Sequence, residues 1–313
     1  NLGLSWYLAN TFNQTFDPQI SVSSGYTTIY LQTGYVRNTG LELSLGYGHT
    51  WNNNFRWDSN FTLSHNKNKI KELVRDYVHP ETGELINKDR LDVGGLGKAR
   101  FILKEGGTLG DLYTQSDLKR DDNGMVDIDP TGIVAIENNL PDIKLGSVFP
   151  KANLAWSNHF SWKGISLSAL FTARIGGIVY SATEAAMDQY GVSERSALAR
   201  DNGGVLVNNR TLVDAQNYYT TIGSESGLPQ YYTYNATNVR LQEASIGYLI
   251  PRKWLGNVCD IQVSVIGRNL WMIYNKAPFD PESVATTDNY YQGIDYFMLP
   301  STRNIGFNVK INF

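Results

Sequence analysis

A single cysteine, Cys259, among 313 residues leaves no partner for an intrachain disulfide and no thiolate cluster for a metal. Long hydrophobic runs are missing too. No stretch of roughly 18 apolar residues occurs, and mean hydropathy is −0.31, so the sequence contains no transmembrane helix. This does not exclude a membrane barrel, whose strands are apolar only at alternate positions. Basic charge is not in excess. With 27 Lys and Arg against 30 Asp and Glu, the chain lacks the electrostatic footprint of a nucleic-acid binder. The four histidines, His49, His65, His79 and His159, fall at no zinc-site spacing, and Gly223-Ser224-Glu225-Ser226-Gly227 has glutamate where a nucleophile elbow needs serine. No enzyme, cofactor or metal site is read from these residues. A signal peptide is also absent, and Asn1 opens directly on Leu2, Leu4, Trp6 and Leu8 alternating with Gly3, Ser5 and Tyr7. The expectation is a mature fragment, or the C-terminal part of a longer product, that begins inside a sheet.

What is abundant is strand and turn chemistry: Tyr 19, Phe 12, Trp 7 and Gly 29. The end of the chain shows it best. Ile305, Phe307, Val309, Ile311 and Phe313 alternate with Asn304, Gly306, Asn308, Lys310 and Asn312, which makes one face apolar and the other polar. The apolar face would meet a second sheet in a soluble sandwich, or lipid in an outer-membrane barrel. A terminal aromatic at the last outward position, Phe313, resembles the signal by which bacterial barrels are recognised for assembly.

Strand patterning recurs along the chain. A first strand over about 2–12 leads through a turn-rich segment, 17–25, to a second over about 29–51. A reversal at 52–54 then returns it as Phe55, Trp57, Phe61 and Leu63. A long polar connection covers 66–97, strand character returns at 100–103 and 111–113, and another long loop runs to Pro150. The clearest hairpin sets Leu154, Trp156, Phe160 and Trp162 against Ile165, Leu167, Ala169, Phe171, Ala173 and Ile175 around Lys163-Gly164. The longest connection, 180–237, contains two candidate short helices, 183–188 and 193–200. Strands at 238–250 and 260–273 flank the turn 251–257, and a last loop, 274–300, reaches the terminal strand.

Connections thus alternate between short and long, as in an up-and-down membrane barrel. Aromatics gather beside the short turns: Trp51, Phe55, Trp57, Trp162, Trp254 and Phe313. An amphipathic ring is stable at a lipid–water interface, so the cluster reads as a girdle rather than a scattered sandwich core. Parity then predicts two strands and a periplasmic turn at 105–109 within 100–115, with Gly106-Gly107 as the turn signal. The expected architecture is all-β, one unit over 1–313, with about ten antiparallel strands of a large transmembrane barrel.

Several segments resemble one family. They are Asn238-Val-Arg-Leu-Gln-Glu-Ala-Ser-Ile-Gly-Tyr248, Pro251 to Trp254, Gly267-Arg268-Asn269-Leu270, Phe279-Asp280-Pro281-Glu282, Leu299-Pro300-Ser301-Thr302-Arg303 and, earlier, Val36-Arg37-Asn38-Thr39-Gly40-Leu41-Glu42-Leu43. Together they are similar to the SusC/RagA-like TonB-dependent outer-membrane transporters. The resemblance implies part of a barrel of about 22 strands closed by a plug, located in the outer membrane and engaged in glycan or peptide import. Its implied partners are a SusD-like surface lipoprotein, the TonB complex through an N-terminal part not in this chain, the barrel assembly machinery and lipid. A non-energised porin or adhesin is the alternative reading.

Alternation points Arg174, Glu243 and Arg268 into the lumen, as candidates for a substrate path. Tyrosines crowd the long loops: Tyr218, Tyr219, Tyr231, Tyr232, Tyr234, Tyr290, Tyr291 and Tyr296. Such rings either stack on substrate or partner, or pack the loops into cores of their own. The run 121–129 has the flavour of a calcium loop. With Gly124 at its sixth position, however, Lys119 and Pro130 occupy its first and twelfth, where ligand oxygens are required, so an acidic solvated turn is expected.

Overall fold

The computed structural model describes residues 1–16, 30–51, 54–78, 83, 85–286 and 291–313. Its frame is one antiparallel sheet of eight strands in sequence order: β1 (Leu2–Phe12), β2 (Tyr35–Thr50), β3 (Arg56–Glu72), β4 (Ala152–Trp162), β5 (Ile165–Ile175), β6 (Asn238–Ile250), β7 (Asp260–Asn275) and β8 (Asn304–Asn312). Each strand pairs with its predecessor and successor only, which is an up-and-down meander. Most of these strands reach or exceed the roughly 9–11 residues that a tilted strand needs to cross a bilayer.

Register turns the sequence alternation into two faces. One row runs Trp57↔Phe160↔Leu167↔Ile246↔Val265↔Phe307 across six strands, and another runs Leu4↔Leu43↔Leu63↔Leu154↔Ala173↔Val239. The opposite face carries Ser5↔Glu42↔Ser64↔Asn153↔Arg174↔Asn238. Because the side-chain period is two, a one-residue slip would exchange these faces, so the apolar rows pin the register. Indole N–H groups on the apolar face find partners there: Trp57 donates to Asn158 Oδ1 at 3.1 Å and Trp156 to Ser59 Oγ at 3.0 Å. An unpaired N–H in hydrocarbon would be costly.

Three short turns lie at one end of the sheet. The Lys163-Gly164 turn has φ of 47° and 90°, the twist-matched geometry of a two-residue hairpin, and Pro251 opens the turn that contains Arg252–Trp254. In the reversal after β2, Asn54 has φ 61°, while Asn52 and Asn53 lie outside the described residues, as does most of the turn-rich segment 17–25. Aromatic contacts gather at this end: Trp51 with Phe55, Phe55 and Trp57 with Phe160, and Tyr248 with Trp254. Phe313 follows Asn312, whose partner Asp260 opens β7, so it ends on the same side.

Four long connections, 13–34, 73–151, 176–237 and 276–303, share the other end, and their described residues fold into a cap. Its core joins Phe16, Leu103, Leu112, Val148, Ile222, Leu228 and Ile294, all buried. The helices expected at 183–188 and 193–200 are α1 (Ala182–Gln189) and α2 (Glu194–Asp201), capped by the hydroxyls of Ser181 and Ser193. A third, α3 (Ala215–Gly223), follows an Asp214 cap.

One expectation is corrected here. Residues 100–115 do contain two strands and a reversal, Ala99–Lys104 pairing with Asp111–Thr114, but neither strand crosses the membrane and the turn is not periplasmic. Gly106 N–H donates to Ile70 O at 2.8 Å, and Ile70 N–H to Gly107 O at 2.9 Å, which fixes the turn at the cap end of β3. The long sheet therefore has eight strands rather than ten. Parity is met without the extra pair because β3 and β4 are antiparallel neighbours, so 73–151 leaves and returns on one side. Phe101, Ile102, Leu103 and Leu112 are wholly buried, whereas a spanning strand offers alternate residues to lipid. With Arg90–Leu96 and Ile143–Ser147 they form a separate four-stranded sheet.

Candidate substrate path and outer cap

The polar face of the sheet is concave and bounds a cavity of about 660 Å3. Glu42, Arg174 and Glu282 line it, with Ser5, Ser64 and Asn153 between them. Of the three residues expected to face the lumen, Glu243 and Arg268 are cross-strand partners on this face, joined by an ion pair of 2.8 Å. Both are solvent-accessible, so the pair adds little to stability. Arg174 stands apart from them. Its Nη2 donates to Val148 O at 2.7 Å, and its Nε has no hydrogen-bond partner among the described residues.

Arg240, one turn of the alternation away on β6, was not singled out by the sequence and is the best-anchored charge on this face. It donates from Nη2 to Asp280 Oδ1 at 2.8 Å and from Nη1 to Asp280 Oδ2 at 3.1 Å, and its Nε reaches Asn238 Oδ1 at 3.2 Å. Glu282 completes the cluster at 3.4 Å. Burial works to raise the Asp280 pKa, but Arg240 and the Glu282 N–H hold it below its ordinary value. The Asn238 and Phe279 motifs are therefore two halves of one joint that fastens the loop 276–303 to the barrel wall. An arginine at an inward strand position, with Asp-Pro-Glu after the next strand, is the signal that would have found it.

In the cap, Tyr232 is core rather than contact surface: it is buried, and its hydroxyl donates to Asp188 Oδ2 at 2.9 Å. Asp188 also accepts from Ser193 and from Arg195 Nε at 2.8 Å, and the Arg195 guanidinium lies 4.8 Å from the Tyr232 ring. Burial and the Asp188 carboxylate drive the Tyr232 phenol far above its ordinary range. Tyr218, Tyr219 and Tyr231 pack against the same core, while Tyr234 meets Phe279 edge-on at 5.7 Å. Tyr291 and Tyr296 are exposed, and Tyr290 lies outside the described residues. Most of the loop tyrosines thus serve loop packing.

Asp142 ties the four-stranded sheet together. It accepts from Arg90 Nε at 2.7 Å and Gln115 Nε2 at 2.9 Å, and pairs with Lys104 Nζ at 2.8 Å. Arg90 holds its carboxyl well below the usual range. The turns at 121–125 and 129–133 repeat one design. Asp121 Oδ1 accepts from the N–H groups of Asn123 and Met125, both at 2.9 Å, and Asp129 Oδ1 from those of Thr131 at 2.8 Å and Ile133 at 2.9 Å. In each turn one carboxylate oxygen accepts from two backbone N–H groups, and no group of metal-ligating side chains occurs among the described residues.

An eight-stranded antiparallel meander with one apolar face, a polar concave face, short turns and an aromatic belt at one end and long loops at the other defines a stretch of outer-membrane β-barrel. No protein-family model matches the chain. It is 25% identical to the TonB-dependent receptor P3 of Formosa agariphila over 342 aligned positions, which cover 99% of this chain and 32% of the relative. The TonB-dependent receptor P26 of the same organism is 24% identical over 336 positions, again covering 99% and 32%. Among solved structures, the RagAB peptide transporter superposes with a TM-score of 0.71 at 19% identity, over all of this chain and 33% of that one. The RagAB peptide importer in its closed-closed state gives 0.68 at 19% identity, with the same coverage. The chain thus spans about a third of the length of the proteins it matches. Both comparisons agree with the resemblance carried by the motifs: the chain is similar along its length to TonB-dependent receptors and has the fold of a segment of the RagAB outer-membrane barrel.

Proposed function

We propose that the chain forms part of the barrel of an energised outer-membrane importer that takes up glycans or peptides and works with a SusD-like surface lipoprotein. The observation that carries this reading is the combination of a charged concave wall with a folded cap, on a chain similar along its whole length to TonB-dependent receptors. In it, Arg174, Glu243 and Arg268 belong to the substrate path, Tyr291 and Tyr296 to the surface met by substrate or partner, and Phe313 to the assembly signal. TonB and a plug enter through parts of the protein outside this chain, and the barrel assembly machinery delivers it to lipid.

Uptake of labelled oligosaccharides and oligopeptides by cells, with and without the intact gene, tests the reading. Uptake that needs both the gene and the proton-motive force is expected. Uptake indifferent to the proton-motive force would favour a passive porin, and none at all an adhesin. Photocrosslinking from Tyr296 should capture a surface lipoprotein, and capture of periplasmic proteins alone would count against the assigned sidedness. Removal of Phe313 from the full-length protein should impair insertion.

A further inference from the structure

On the cap, α1 and α3 end beside one another at a cleft of about 340 Å3. This is the lower end of the size range of small-ligand sites, room for one side chain rather than a protein segment. Three features of its wall have the same electrostatic sign. The C-terminal ends of both helices, at Gln189 and Tyr190 and at Gly223 and Ser224, line it, so the negative poles of two helix dipoles converge there. Glu225 is the one formally charged residue among those lining the cleft, and it has no ion-pair partner among the described residues. The rings of Tyr190, Tyr296 and Phe297 complete the rim at 76%, 54% and 60% exposure, and an aromatic face is negative.

Phe297 adds a separate observation. Its φ of 50° places a bulky residue in the left-handed region, which is disfavoured for such side chains and concentrates at functional positions. Its N–H is held by Thr183 Oγ1 at 2.7 Å, on the first turn of α1. The ring gains no burial from this conformation. It gains a fixed position beside Tyr296, with ring centroids 5.1 Å apart.

We propose that this cleft binds the cationic side chain of a short peptide, a lysine ammonium or an arginine guanidinium, arriving from the outer side. A neutral sugar would need a fan of hydrogen-bonding side chains, and Gln189, Ser224 and Glu225 are the few polar non-aromatic ones lining the cleft. The inference deepens the import reading, narrowing its glycan-or-peptide alternative to peptides at this cleft, and rests on it for the direction of arrival.

The test uses the full-length protein in detergent, with a short lysine peptide and its Nε-acetylated counterpart as calorimetric probes. Acetylation should weaken binding roughly tenfold, and Glu225→Gln and Tyr190→Ala should each weaken the lysine peptide while leaving the acetylated one unchanged. Both side chains are exposed, so heat-modifiable gel mobility should report a native barrel in each variant. Equal binding of the two peptides, or lysine-peptide binding that survives both substitutions, would overturn the proposal. So would a neutral oligosaccharide that binds in preference and is lost with Tyr190→Ala. Uptake is scored separately: discriminating binding without uptake keeps the cleft and removes the import reading, while uptake without discrimination does the reverse.

Discussion

Arg240 and Asp280 meet in a two-pronged ion pair, the shorter contact 2.8 Å, with a whole strand and a turn between them in sequence. Both side chains are nearly closed to solvent, at 6% and 10% exposure. Removing one member leaves the other charged and buried, which costs about 3–5 kcal/mol, whereas replacing both by apolar residues of similar volume costs far less. Asp280→Ala should fall toward the lower figure, because Glu282 stands 3.4 Å from the same guanidinium. Denaturant titration in detergent, together with protease cutting inside 276–303, checks the single substitution against the Arg240→Met, Asp280→Leu double. A double variant as unstable as the single would show that the joint matters for something other than charge.

The two faces of β8 make a sharper contrast. Phe307 extends the apolar row through Val265, and Asn308 pairs with Ser264 on the polar face. Arginine at Phe307 should cost about 2–4 kcal/mol near mid-membrane, and arginine at Asn308 little. A folding titration into lipid vesicles measures both, and equal costs would contradict the assignment of faces.

Acid should loosen the cap through Asp142. The unfolded carboxyl titrates near pH 3.9, and Arg90, aided by Lys104, lowers the folded value. The stabilisation is therefore fully present above about pH 4 and declines as the pH falls through the folded pKa. Asp142→Asn should destabilise the cap by about 1.5–3 kcal/mol at neutral pH, and the gap to the unmodified protein should close only in strong acid. A gap that closed between pH 7 and 5 would assign the effect to another group.

Alkali should act on the tyrosines. Burial pushes Tyr113, Tyr180 and Tyr218 up to about 12, against roughly 10 when unfolded. Their neutral forms stabilise the cap below pH 10, and that contribution disappears as the pH rises from there through 12. Tyrosinate absorbance followed alongside cap proteolysis should show late-titrating phenols that ionise together with cap opening. Tyr232→Phe, which takes a hydroxyl donor from the buried Asp188, should cost about 1–3 kcal/mol and leave uptake less affected than cap stability.

How much of this was legible in the sequence depends on what each segment faces. The eight long strands declare themselves because one side meets lipid and the other the lumen, so Leu167 and Ser168, or Phe307 and Asn308, must alternate. The strand Ala99–Lys104 is buried on both sides, at Phe101, Ile102 and Leu103. It carries no period that tells a cap strand from a spanning one, and the parity argument spent it on the wrong sheet. Tyr232 was indistinguishable by composition from Tyr291, since a phenol is equally at home in a loop core with an aspartate to bond or on an open rim. Glu243 and Arg268 were readable from alternation alone. The Arg240 joint needed knowledge of where 276–303 folds back, which is a tertiary fact.

The cap core has one further consequence, which concerns the order of events. Phe16, Leu103, Ile222 and Ile294 come from four different connections yet share a single cluster. Contacts so distant along the chain form only after the intervening strands have closed those loops, and high contact order of this kind makes folding slow. The cap core is therefore expected to form after the sheet contacts that bring its four connections together, and a cut in any one of them removes part of a core the other three share.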